Sequence, residues 1–594
     1  MNLGKATLVT IMIIGPLGLS AQDVRLRSPE ARDVLNEASL LRQLRSNDEA
    51  IPQDFVAAAR ADYRRLLTAL YAEGYYSGTI SITIDGVEAA NMAPLASPSS
   101  IDEVVIDVKP GPQFRFGNVA IAPLPPAATL PVDAGPRQPA RSGEIGDAVR
   151  SGLSSWRELG YAKARVSSQR VVARHEDARL DVDVGLIPGP RLRFGDLLIT
   201  GNEDVSTDRI REIAGLPSGE TYSPTDLAAA ESRLRRTGTF DSVALSEADN
   251  IGPNDTLDIN AQFSESKPRR FGFGLELSSV EGLTVSSFWL HRNLLGGAER
   301  LRVDAEVAGI DGETGGTDYA LRGNFTRPAT FGADTDLFLR GEISREDEPD
   351  YLLDKVSTEI GLSRRITSDL TVQAAVGLLA AHEESDVGTR EYVLLTLPLD
   401  ATLERRDEPT DATEGYYLDG SVTPFVSLRG DVDGAQFFGD ARGYYTIGET
   451  LPLTFAVRGQ VGSLLAAGLD EAPADFLFYS GGGGTVRGQP YKSLGIDRIE
   501  DGENVTTGGT SFAGAQLEAR IGIRDNIGLV AFYDIGHIGE TAVPLEDGDW
   551  HAGAGIGLRY DTGIGPIRLD LGTPASGDDA WEEVQIYIGI GQAF

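Results

Sequence analysis

From Pro268 to the end of the chain, side chains alternate in character with a period of two. In Leu301-Arg-Val-Asp-Ala-Glu-Val307 the odd positions are apolar and the even positions mostly charged. The odd positions of Leu337-Phe-Leu-Arg-Gly-Glu-Ile343 again form an apolar face, and Leu453-Thr-Phe-Ala-Val-Arg-Gly-Gln-Val461 continues the pattern. Such a period belongs to strands whose two faces meet different surroundings. A soluble sandwich would have to bury charge on many of its inner faces, which is costly. A barrel with lipid outside and water inside accounts for both faces at once. About sixteen such segments fit between Arg269 and Phe594, at ~20 residues per strand plus turn, which suits an outer-membrane barrel. Each is long enough for the ~9–11 residues of a tilted spanning strand.

The chain before Pro268 reads differently. Met1 to Lys5 is short and positive, Ala6 to Leu19 is largely apolar, and small residues follow at Ser20 and Ala21. The expectation is a signal peptide over 1–21, too short in its apolar run for the ~20 residues of a spanning helix. Three helix ends then look alike: Leu70-Tyr-Ala-Glu-Gly74-Tyr-Tyr76, Trp156-Arg-Glu-Leu-Gly160-Tyr161 and Leu234-Arg-Arg-Thr-Gly238-Thr-Phe240. In each, Gly supplies the left-handed cap and an aromatic leads towards a strand. Pro110-Gly-Pro-Gln-Phe-Arg-Phe-Gly117 returns as Pro188-Gly-Pro-Arg-Leu-Arg-Phe-Gly195. These repeats divide the region into three modules, at 23–110, 112–188 and 190–265, each expected to run strand, helix, helix, strand, strand. The barrel is expected over 268–594. The fold class is therefore α+β modules followed by an all-β sixteen-stranded transmembrane barrel.

Chemistry of the bond-making kind finds little support. The chain lacks cysteine, which removes thiolate metal sites and thiol nucleophiles. His175, His291, His382, His537 and His551 stand at no metal-binding spacing. Gly481-Gly-Gly-Gly-Thr-Val-Arg-Gly488 lacks the Lys-Ser/Thr ending of a phosphate loop. No enzyme, cofactor or metal is expected. With 53 Lys and Arg against 89 Asp and Glu, the net charge of −36 argues against nucleic acid as a partner. The acidic stretch Arg345 to Asp350 reads as a solvated loop tip.

Modules ahead of a sixteen-stranded barrel resemble the outer-membrane barrel-assembly superfamily, whose members carry POTRA modules. Val486-Arg487-Gly488 matches the superfamily's Val-Arg-Gly-aromatic hallmark, in a loop that folds into the barrel. The chain departs at Gln489, where most members have Phe or Tyr, and Tyr491 is the candidate substitute. Asn293-Leu-Leu-Gly296 is similar to the family's turn after the second strand, and Gly565-Pro-Ile-Arg-Leu-Asp-Leu571 to its penultimate strand. The count of three modules looks most like the TamA family of translocation and assembly module subunits. That resemblance implies a Gram-negative outer membrane, with modules in the periplasm and outer-membrane lipid around the barrel. It also implies a TamB-like periplasm-spanning partner, and unfolded outer-membrane proteins such as autotransporters as clients. A two-partner secretion transporter, exporting a polypeptide through its lumen, is the alternative.

Alternation also suggests residue roles. Leu517, Ala519 and Ile521 face lipid, so Glu518 faces the lumen; Leu529, Ala531, Tyr533 and Ile535 share the outward face, so Asp534 points inward. Two inward carboxylates on adjacent strands make a cradle for the Arg487 guanidinium. In the last strand Ile586, Ile588, Ile590 and Phe594 face outward, and Phe594 resembles a C-terminal assembly signal. Gly272 and Gly274 in the first strand, with Gly589 and Gly591 in the last, suggest a weak seam where the barrel closes.

Overall fold

The computed structural model describes residues 23–590, apart from 46–49, 94–95, 97, 127, 280–281, 313–314, 349–350, 386–387, 449–450, 467–471, 501–502, 525, 563–565 and 578–579. The expected signal peptide, Gly565, Gly591 and Phe594 therefore lie outside the described residues. Contacts divide the chain into two compact units. One holds 1–196 with 217–226 and 248–258; the other holds 197–216, 227–247 and 259–594.

In the first module the helix Pro52–Ala72 lies on a four-stranded sheet in the order Asp23–Arg27, Glu103–Lys109, Thr79–Ile84, Val87–Glu88. Phe55, Val56, Ala59, Leu66 and Leu70 recur at helical spacing and pack into one core with Ile82, Ile84, Val104 and Ile106. The second sheet has the order Arg115–Ala122, Arg179–Ile187, Arg165–Arg174, with the helix Ser142–Glu158. Two helices were expected here, and among the described residues there is one. The proline-rich stretch from Pro123 to Pro139 occupies the place of the other. Its prolines interrupt an α-helical ladder, and it holds a 3₁₀ turn at Val132–Ala134. Instead its end runs back along the first strand: Arg137 N–H donates to Phe116 O at 2.9 Å and Phe116 N–H to Gln138 O at 2.9 Å. The third sheet orders Arg193–Thr200, Thr256–Glu265 and Phe240–Glu247, with helices Thr207–Ala214 and Pro224–Arg236. Ser206 caps the first of these helices from the Arg209 N–H, and Gly215 ends it at φ 58°.

The barrel closes from sixteen antiparallel strands. They are β1 Arg269–Ser278, β2 Gly282–His291, β3 Arg300–Ile310, β4 Asp318–Arg327, β5 Thr335–Asp347 and β6 Tyr351–Arg365. Next come β7 Leu370–Ser385, β8 in two pieces (Gly388–Thr396 and Leu399–Glu404), β9 Gly415–Arg429, β10 Gly434–Ile447 and β11 Leu453–Leu465. The last five are β12 Ser511–Arg524, β13 Ile527–Gly539, β14 Asp549–Tyr560, β15 Ile567–Pro574 and β16 Gln585–Ile590. The break in β8 falls at Pro398, which has no N–H to give a ladder. Register with β7 and β9 resumes beyond it without a slip, from Gly377↔Thr396 to Ala374↔Leu399 and from Thr396↔Phe425 to Leu399↔Val422.

The two faces separate as the alternation requires. Phe273, Leu275, Ile343, Ile360, Val457 and Ile556 are exposed on the outside. Apolar exposure around the whole circumference far exceeds what a water-soluble surface carries, and lipid is the solvent that suits it. Charges face inward and meet one another across strands. Arg322 reaches Glu306 at 3.3 Å and Glu342 at 3.2 Å, and Arg458 reaches Asp440 at 2.7 Å.

Candidate functional site

Between β11 and β12 a long connection leaves the wall, described over 472–500 and 503–510. This loop folds back into the lumen. Aromatic packing holds its arms: Phe476 meets Phe425 with centroids 4.6 Å apart, and Phe478 stacks between Phe438 at 6.4 Å and Phe512 at 6.3 Å. Its tip turns through Gly481, Gly482 and Gly488 at φ 118°, 85° and 94°, backbone that only glycine adopts cheaply.

Arg487 sits at this tip and is fully buried. Its Nε donates to Asp534 Oδ2 at 2.7 Å and its Nη2 to Asp534 Oδ1 at 2.9 Å, a two-pronged bond to β13. Nη1 donates to Glu518 Oε1 on β12 at 2.6 Å and lies 3.5 Å from Asp570 Oδ2 on β15. The Arg487 backbone N–H adds a further bond to Asp534 at 3.1 Å. The guanidinium lies over the Phe532 ring, 3.8 Å from its centroid. Two more wall arginines complete the set: Arg520 bonds Glu518 at 2.7 Å, and Arg559 pairs with Asp570. Three buried cations thus face three buried carboxylates, which is how charge out of water is made tolerable.

The structure brings Val486, Arg487, Gly488, Glu518 and Asp534 together. Alternation located both carboxylates. It missed Asp570 and Phe532, although Ile567-Arg-Leu-Asp-Leu571 carries the same inward signal for Asp570. The glycine groove beneath the loop was also missed. A Cβ at Gly553 would stand 1.9 Å from Arg487 O, one at Gly572 2.9 Å from Gly488 N, and one at Gly536 2.2 Å from Ser480 Oγ. Glycines on β13, β14 and β15 thereby let the loop lie directly on the wall.

Gln489 is buried and donates from Nε2 to Ala552 O on β14 at 2.7 Å. A hydrogen bond from the side-chain amide stands where most members would have an aromatic ring. Tyr491 does not substitute, because its hydroxyl points instead to Glu348 Oε1 at 3.2 Å. That contact belongs to a second fastening on the far wall. Lys492 Nζ reaches Glu348 at 2.8 Å and Tyr351 Oη at 2.9 Å, Lys355 Nζ reaches Asp475 at 2.9 Å, and Glu383 accepts the Ala474 N–H at 3.0 Å. Glu348 was read as part of a solvated tip; the loop covers its side chain to 6% exposure.

At the seam, β1 shares two Cα pairs with β16 among the described residues, Leu277↔Ile588 and Ser278↔Tyr587. Elsewhere β1 shares ten with β2, and β15 six with β16. Ser279 N–H donates to Ile586 O at 3.2 Å, and Arg568 Nη2 bonds Glu276 at 3.0 Å across the junction. The seam glycines have a packing reason on the lumen side. A Cβ at Gly272 would lie 2.1 Å from the Phe288 ring, and one at Gly274 2.5 Å from Ser286 Oγ. Gly589 sits against Arg568 Nε, at 3.1 Å from its would-be Cβ.

At the end of the barrel where β1 begins, Arg233 on the helix Pro224–Arg236 makes a two-pronged bond to Asp334 in the β4–β5 turn, at 2.8 and 2.7 Å. This pairing was not foreseen. The Arg233 hydrogen bonds hold the Asp334 carboxyl below its ordinary pKa, against a smaller upward push from burial.

A closed sixteen-stranded barrel, preceded by small α/β modules and filled by a loop locked through a buried arginine, defines an outer-membrane barrel of the transport and assembly class. Residues 293–594 match the Omp85 superfamily domain, and the chain belongs to that superfamily. Residues 192–266 match POTRA, described as a surface antigen variable number repeat. Among solved structures, the fold is similar to BamA from Haemophilus ducreyi lacking POTRA domains 1–3, at 18% identity and a TM-score of 0.61, covering 81% of this chain and 100% of that one. CdiB from Acinetobacter baumannii matches at 13% identity and 0.51, covering 81% and 90%. CdiB from Escherichia coli matches at 13% and 0.50, covering 92% and 100%.

Proposed function

We propose that this protein is a TamA-like assembly factor of the Gram-negative outer membrane. In this reading it inserts or translocates β-barrel clients such as autotransporters, works with a TamB-like periplasm-spanning partner, and keeps its three modules in the periplasm. The observation that carries the reading is the seam. The six described residues of β16 all pair with β15 and only two of them with β1, and Phe271, Phe273 and Leu275 along β1 are exposed on the outside. A client strand adding to such an edge satisfies its backbone hydrogen bonds as it enters the hydrocarbon. No bond is made or broken, and folding of the client in lipid supplies the driving force. Opening requires a junction weaker than the rest of the wall. The Arg487 lock keeps the loop in the lumen and stiffens the wall from β12 to β15 beside that junction.

Export through the lumen, as in two-partner secretion, is the competing function. It requires the loop to leave its seat, against fastenings on two walls. Reconstituted full-length protein in lipid vesicles separates the two. An assembly factor accelerates protease-protected insertion of an unfolded autotransporter barrel without added energy. A transporter leaves insertion unaccelerated and shows client-dependent passage through the lumen.

A further inference from the structure

The loop lock and the seam meet at one residue. Tyr587 is on β16, faces the lumen, and is buried. Its hydroxyl accepts the Gly488 N–H at 3.1 Å, so the residue next to Arg487 is bonded directly to the last strand. The same hydroxyl donates to Gln585 Oε1 at 2.5 Å, which fixes its direction, and Gln585 is itself buried. The ring flanks the loop backbone, 3.4 Å from where a Cβ of Gly483 would stand. Along the sheet, Tyr587 is the Cα partner of Asp570, whose carboxylate faces Arg487. On its other side it is the Cα partner of Ser278, one of the two described pairs that close the barrel.

The geometry points to Tyr587 as the positioning residue that couples the seated loop to the seam, so that the loop holds β16 in place for pairing with β1. The coupling runs both ways. Seating the loop favours the closed seam, and moving Tyr587 relative to β1 pulls on the Gly488 contact, because one residue carries the loop's hydrogen bond on its hydroxyl and the pairing with Ser278 on its backbone. This deepens the proposed function by naming a link inside the same site, and rests on it only for the use made of opening.

The test reads seam opening directly and needs no client. Amide hydrogen exchange is followed at Ser279, Ile586 and Ile588 in the full chain in lipid vesicles, with β6–β7 amides as the internal reference. Tyr587→Phe keeps the ring and removes the hydroxyl. It is expected to speed exchange at the seam about five- to ten-fold, the size of one lost net hydrogen bond, and to leave the reference unchanged. In an Arg487→Gln background, where the loop tip is already released, the same change is expected to add little. Unchanged seam exchange in Tyr587→Phe would overturn the coupling. So would equal acceleration in both backgrounds, which would place the hydroxyl's effect within β16 through Gln585. Should Arg487→Gln not assemble, Asp534→Asn provides the released background. Failure of client insertion with the seam effect intact would count against the function and leave the coupling standing.

Discussion

Arg487 is held by charge matching in a space closed to water, and this sets what its loss does. Removing it leaves Asp534, Glu518 and Asp570 sharing two cations, with Asp534 losing both guanidinium hydrogen bonds and keeping the one from the residue 487 backbone N–H. Breaking a buried pair by deleting one partner costs about 3–5 kcal/mol. Arg487→Ala is therefore expected to lower barrel stability on that scale in urea titrations. Combined with Asp534→Ala, the losses should fall short of additive by ~1 kcal/mol or more. Gly553→Ala tests the groove. Its methyl would collide with the Arg487 carbonyl, and backbone on both sides leaves little room to give. Loop residues near Tyr479 should become open to protease in that variant, while Gly443→Ala on β10, with open space around it, changes nothing. Much of the site was legible at this scale, because inward alternation is a local property. Glu518 could be placed from three outward neighbours and Asp534 from four. Gly536, Gly553 and Gly572 could not, since the track they form depends on register across three strands and on a loop distant in sequence.

Elements show where periodicity suffices and where it stops. Strands were countable because lipid and lumen impose opposite demands on successive residues, and Pro398 interrupts β8 without shifting its register. The second module lost an expected helix because prolines between Pro123 and Pro139 interrupt the hydrogen-bond ladder that an α-helix needs. The pairing of Arg233 with Asp334 carries no local pattern at all, since its partners stand on separate elements. It does carry a pH dependence. Asp334 has a pKa below its ordinary value near 3.9 when paired. The pairing is therefore fully in force above that value and is lost as pH falls through the lowered one. Distances between spin labels at Ala228 and Phe331 should stay narrow at neutral pH and broaden only once pH has fallen below the ordinary carboxylate value, through the lowered pKa of Asp334. Asp334→Asn should broaden them at every pH. A distribution that ignores pH in the unsubstituted protein would show that other contacts hold this helix to the turn.

For the whole molecule the central claim is that the junction of β1 with β16 opens to admit a client strand. Leu277 and Ile588 are Cα partners there, so cysteines at these two positions can fasten the seam without disturbing the loop. The decisive measurement is insertion of an unfolded autotransporter barrel into vesicles carrying the Leu277→Cys, Ile588→Cys protein, oxidised and then reduced. Protease-protected insertion is expected to be fast in the reduced protein, to fall to the rate of empty vesicles when the disulfide is formed, and to return on reduction. Insertion equally fast with the disulfide verified in place would contradict an opening seam.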